Sequence, residues 1–101
     1  MIYRLDAHPD IYNEVNAAYI WYEGKSEGLG DDFLDALDAA YAKLQMVPMA
    51  WLEVEHGLRK YVMKRFPYSL IYALREDRIF VIAVMHQSRR PGYWMERLSD
   101  L

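Results

Sequence analysis

Cysteine is absent from this 101-residue chain. That excludes disulfides and cysteine-based zinc sites, and it removes one mark of a secreted protein. No apolar run approaches the ~20 residues that a helix needs to cross a bilayer, so no contact with a membrane is expected. Residues 1–10 have no basic region leading into a long apolar stretch, so no signal peptide is visible and a cytoplasmic, water-soluble domain is expected. A phosphate-cradling glycine loop is also missing. Gly24, Gly28 and Gly30 lie between helical patterns, not after a strand. No Gly-x-Ser-x-Gly elbow occurs, and the four serines sit in no catalytic pattern. His8, His56 and His86 are dispersed, with no His-x-x-x-His pair, so neither a metal nor a cofactor is expected.

What is present is apolar and unevenly charged. An apolar fraction of 53% predicts a packed core. The length suits one domain spanning 1–101. Residues 1–56 carry three basic and eleven acidic side chains, a net of −8, whereas residues 57–101 carry nine basic and four acidic, a net of +5. Such a split is compatible with two faces for two partners, or with plain solubilisation. The acidic total disfavours unaided, tight nucleic-acid binding.

Periodicity orders the elements. Ile2–Leu5 reads as a short strand, and Pro9 suits the first turn of a helix. Ile11, Val15, Ala18 and Tyr22 form one helical face. A second helix begins near Gly30 with Asp31 and Asp32 in its first turn, carries Leu29, Phe33, Ala36, Ala40, Leu44 and Val47, and stops at Pro48. Asp31, Asp35 and Asp38 along it read as a solvated face, with a partner's cations as the alternative. Residues 48–57 read as a loop. From Leu58 onward the pattern is that of strands, with a turn at Phe66-Pro67-Tyr68 and a two-residue turn at Glu76-Asp77. Arg78–Gln87, the most apolar segment, reads as a central strand, and Pro91 begins a short helix or tail. The expected fold is therefore α+β: an N-terminal strand and an antiparallel helical hairpin packed on a small antiparallel sheet.

Chemistry concentrates in the last third. By two-residue alternation His86 shares a side with Phe80, Ile82 and Val84, and Arg89, Arg90 and Tyr93 follow it closely. Lys64 and Arg65 join them if the strands pair as a hairpin. Three readings of His86 stand: a strand-end cap, a contact with a protein partner, or an acid–base group in phosphodiester cleavage. Tyr12, Tyr19 and Trp21 lie off the main stripe of the first helix, as a second buried flank or as exposed anchors. Trp94 offers the same choice.

Three stretches together resemble the RelE/ParE superfamily of bacterial type II toxins. They are Trp21-Tyr22-Glu23 followed by Gly28-Leu29-Gly30-Asp31-Asp32-Phe33-Leu34, then Lys64-Arg65-Phe66-Pro67-Tyr68-Ser69-Leu70-Ile71-Tyr72, then Ala83-Val84-Met85-His86-Gln87-Ser88-Arg89-Arg90-Pro91-Gly92-Tyr93-Trp94. The resemblance implies a growth-inhibiting toxin neutralised by a cognate antitoxin in a hetero-oligomer. Tyr12, Tyr19, Trp21 and the groove between hairpin and sheet would be its docking surfaces. RelE-like members cut messenger RNA on the ribosome. In that case His86 would be acid or base, Lys64, Arg65 and Arg89 would hold phosphate, and Tyr93 would stack on a base or assist proton transfer. ParE-like members inhibit DNA gyrase, and Lys64, Arg65, Arg89, Arg90 and Trp94 would then meet the target. The Gly-Leu-Gly-x-x-Phe turn and the Arg-Pro-Gly-Tyr-Trp tail are closer to the ParE branch. The −8 helical half also sits poorly against a polyanionic ribosome. An inactive, antitoxin-binding member is the remaining alternative.

Overall fold

The stripe Ile11, Val15, Ala18 and Tyr22 lies on one helix, α1 (Ile11–Lys25), in the computed structural model, which describes residues 2–101. A second helix, α2 (Leu29–Met46), returns antiparallel and buries Phe33, Leu37, Ala40 and Leu44 against α1 and the sheet. Before them comes β1 (Arg4–Ala7), and after them β2 (Arg59–Val62), β3 (Tyr68–Arg75) and β4 (Arg78–His86). Short 3₁₀ turns occupy Pro48–Ala50, Glu55–Gly57 and Met95–Asp100.

The sheet order is β1-β4-β3-β2. Both β2–β3 and β3–β4 are antiparallel, as hairpin connections require. The first strand differs from the expected all-antiparallel pattern. It lies parallel to β4, with Arg4 opposite Arg78 and Ala7 opposite Val81, so the sheet is mixed. The helical hairpin supplies the long crossover that parallel strands need, carrying the chain from one sheet edge to the other. At the β3–β4 turn Glu76 takes φ 55°, the left-handed conformation that a glycine would adopt more easily.

Both faces of the sheet are covered. Leu70, Tyr72, Ile79, Val81 and Val84 pack under the helical hairpin. Ile71, Ala73, Ile82, Ala83 and Met85 form a second core with Leu58 and Trp94, closed by the C-terminal segment.

One residue in β4 is out of step. Ile71 pairs with Ala83 but Tyr72 pairs with Val81, which leaves Ile82 without an opposite number. This bulge resets the alternation. Phe80 and Ile82 face the second core, whereas Val84 returns to the helix side. His86 follows Val84, with its ring 5.0 Å from that of Tyr68, a neighbour of the first core. The uninterrupted series Phe80, Ile82, Val84, His86 is thus broken at the bulge.

Tyr72 ties the helix end to the sheet: fully buried, it donates its hydroxyl to the Pro48 carbonyl at 2.6 Å. Burial pushes its pKa up to about 12, partly opposed by Arg59. A phenol whose folded pKa is raised stabilises the fold fully below its unfolded pKa of about 10, and that contribution is lost as pH rises through the folded value. Stability should therefore fall above pH ~10 by roughly 2–3 kcal/mol from Tyr72 alone. Urea unfolding from pH 8 to 12 should show this fall, and Tyr72→Phe should lessen its slope, the remainder coming from other phenols such as Tyr41, which burial also pushes up to about 12.

Candidate functional site

Residues from α1, β3, β4 and the turn after β4 enclose a cleft of about 420 Å³. Its floor rests on an aromatic cluster. Tyr22, Phe33, Phe66 and Tyr68 meet with ring centroids 4.9 to 6.3 Å apart. Trp21 forms one wall, and His86 and Arg89 stand at the other end. The Phe66-Pro67-Tyr68 turn contributes because Pro67 accepts the Gln87 N–H at 2.8 Å, which locks the β2–β3 turn to the end of β4.

His86 is held by its own neighbours. Its Nδ1 accepts the Ser88 N–H at 2.9 Å and lies 2.8 Å from Ser88 Oγ. In the neutral ring the proton therefore resides on Nε2, which is left for a ligand. Beside it, burial raises the Tyr68 pKa, with Tyr22 and Glu14 adding to the rise and Arg89 opposing it.

Tyr93 is placed differently from His86. Its hydroxyl donates to Glu14 Oε2, and Arg89 stacks on its ring with the guanidinium carbon 3.9 Å from the centroid. Burial, then the Glu14 carboxylate, pushes the Tyr93 pKa far up. A phenol so held does not release its proton near neutral pH. Arg65 lies outside the cleft, paired with Asp32 of α2 at 3.1 Å. Lys64 and Arg90 are exposed at the same end of the molecule, and Trp94 is buried in the second core. Of the aromatic flank, Tyr12 and Trp21 are exposed and Tyr19 is half-buried. His86 and Arg89 thus share one cleft, Tyr93 borders it through its contacts with Arg89 and Glu14, and Arg65 lies outside.

Glu14 organises this region, although the sequence reading gave it no role. It is only 10% exposed, and it accepts the Val84 N–H at 3.1 Å and Arg97 Nη2 at 3.0 Å. Arg97 Nη1 also donates to the carbonyl of Ile82, the bulged residue, at 3.0 Å. β1 pairs with β4 only as far as Val81, so these side chains satisfy the strand edge beyond it. Burial alone would lower the Arg97 pKa, but the bond and charge of Glu14 outweigh it and raise it. Nearby, buried His8 accepts the Asp10 N–H on Nδ1 and meets Asp100 through Nε2 at 2.6 Å. One signal for Glu14 was available: it sits three residues after Ile11 and four before Ala18, a carboxylate inside an apolar stripe.

The turn between the helices has an equally definite cause. Gly28 adopts φ 87°, which favours glycine. Glu23 accepts the N–H groups of Gly28 and Gly30, each at 2.9 Å, and so caps α2. Among the described residues no three imidazole or carboxylate groups converge as metal ligands, and no helix is long and apolar enough to cross a membrane.

No family model matches the chain, and no curated protein matches it by sequence. Solved structures do. One is the chromosomal ParDE TA system from P. aeruginosa, 18% identical, covering 84% of this chain and 96% of that one, with a TM-score of 0.72. The chain has the RelE/ParE toxin fold. The E. coli toxin RelE, as a doubly substituted variant in the free state, agrees over 97% of this chain and 99% of its own at 17% identity and a TM-score of 0.67. Within this RelE/ParE fold, the cleft of Trp21, His86 and Arg89 lies between the helical hairpin and the end of the sheet.

Proposed function

We propose that this chain is the toxin of a type II toxin–antitoxin pair, acting on DNA gyrase and neutralised by a cognate antitoxin. The fold it shares with the ParDE and RelE structures supports the toxin reading. One observation favours gyrase over cleavage. Of His86, Arg65 and Tyr93, only His86 lines the cleft, since Arg65 lies outside it beside Asp32 and the Tyr93 hydroxyl is held by Glu14. A phosphodiester cleaver needs both an acid and a base, together with a cation on the phosphate. The exposed cations Lys64 and Arg90 are the natural contacts for the target. Tyr12, Ile20 and Trp21, at 74%, 61% and 58% exposure, offer the antitoxin apolar anchors. Trp21 also walls the cleft, so an antitoxin seated there blocks His86 and Arg89 as it binds.

Ribosome-dependent mRNA cleavage is the second reading, favoured by the free Nε2 of His86 beside Arg89. Induced expression without antitoxin separates the two. Gyrase poisoning yields chromosomal double-strand breaks with intact messages. In that case His86→Ala stays toxic, while reversing charge at both Lys64 and Arg90 abolishes toxicity. Under cleavage His86→Ala should cost about 10²–10⁴-fold in cutting rate. Normal growth with abundant folded protein would make the chain an inactive, antitoxin-binding member.

A further inference from the structure

A second cavity lies on the face of the sheet away from the helices, between the strands and the C-terminal segment. It measures about 480 Å³, within the ~300–1,000 Å³ usual for small-molecule sites. Its walls are mostly apolar, with Ile71 and Met85 from the sheet and Pro91 and Met95 from the segment above. Besides the Glu55 carboxylate, two groups break that character, and both are donors without partners. The Trp94 indole, 6% exposed, forms part of the wall, and its Nε1–H is the one buried side-chain polar atom lacking a hydrogen bond among the described residues. Lys60, half-buried opposite Ile71, makes no ion pair among the described residues.

A buried orphaned donor is unfavourable unless an acceptor arrives, and the Lys60 ammonium, which water still reaches, supplies a positive charge beside it. We propose that this cavity binds a small carboxylate with an apolar body. One carboxylate oxygen accepts from Trp94 Nε1 and the other pairs with Lys60, while the hydrocarbon fills the space between Ile71, Met85 and Met95. Glu55 at the same cavity disfavours a second negative charge on the ligand. The site is independent of the cleft at His86, which lies on the other face.

The carboxylate is carried either by a free organic acid or by the C-terminus of an apolar peptide. Octanoate and an N-acetylated Phe-Leu dipeptide are the two probes, titrated into the ¹⁵N-labelled full chain. Each tryptophan gives one indole N–H signal, and Trp94→Phe assigns the relevant one. Binding should move the Trp94 signal downfield with saturation and leave those of Trp21 and Trp51 in place. The tighter probe identifies the source. Lys60→Met should weaken that probe about tenfold or more, as should replacing octanoate by octan-1-ol. A Trp94 signal unmoved by either probe overturns the proposal. So does octan-1-ol binding as well as octanoate, or a Lys60→Met variant of unchanged affinity in a folded protein.

Discussion

Glu14→Leu should lower stability by roughly 3–5 kcal/mol, the cost of removing one member of a buried ion pair and stranding its partners. Three groups lose their acceptor at once: the Val84 N–H, the Tyr93 hydroxyl and one Arg97 nitrogen. Arg97, at 13% exposure, keeps the Ile82 carbonyl at 3.0 Å and Asp10 at 3.6 Å, which does not replace a full carboxylate. For a domain of this size the midpoint of thermal unfolding should drop by more than about 10 °C. Glu14→Gln should cost less, because its carbonyl can still accept the Val84 N–H. Circular dichroism melts of the three proteins make the comparison. A Leu variant melting with the wild type would mean that the tail is not anchored through this carboxylate.

Gly30→Ala should be the most damaging single methyl that can be added to the helical hairpin. A Cβ there would stand 2.8 Å from the Tyr19 carbonyl oxygen, 2.8 Å from its ring and 2.9 Å from Glu23 Oε1. Backbone cannot swing aside as a side chain does, so the two helices must separate. Overpacking of this kind costs about 1–3 kcal/mol. Displacing the Glu23 cap adds roughly 1 kcal/mol more, since two N–H groups lose their acceptor. Gly24→Ala is the internal control. Nothing lies within 4 Å of its added methyl, and within α1 it should stabilise by roughly 0.5–1 kcal/mol. The opposite signs can be read from paired urea titrations. Equal effects would show that helix propensity, not close approach, governs the turn.

The elements legible in the sequence were those fixed by local rules. The α1 and α2 stripes, the turn at Glu76-Asp77 and the central place of β4 follow from periodicity and turn chemistry within a few residues. What escaped depends on contacts distant in sequence. The parallel pairing of Arg4 with Arg78 leaves no local trace. Neither does the bulge at Ile82, because three apolar residues in a row look alike on either face. That one residue decides which face His86 joins, so the sequence marks His86 and Arg89 as candidates but not the cleft that they share with Glu14 and Trp21. Arg65 and Tyr93 show the same limit. Neither the expected hairpin pairing that brought Arg65 toward His86 nor the short chain distance from His86 to Tyr93 gave warning that Asp32 and Glu14 engage them.

The parallel strand also fixes an order of events during synthesis. The helical hairpin can form as soon as residue 46 has emerged, because its contacts are local. β1 must wait, with its edge unpaired, until residue 81 is available, and His8 finds Asp100 only after another stretch of chain. A polypeptide cut short between residues 81 and 100 can pair β1 but leaves the second core without Trp94 and Leu98, and such exposed apolar surface invites aggregation and proteolysis. A message truncated within the last fifth of the coding sequence should therefore yield a protein with a shorter lifetime than the full chain, as a pulse-chase would show.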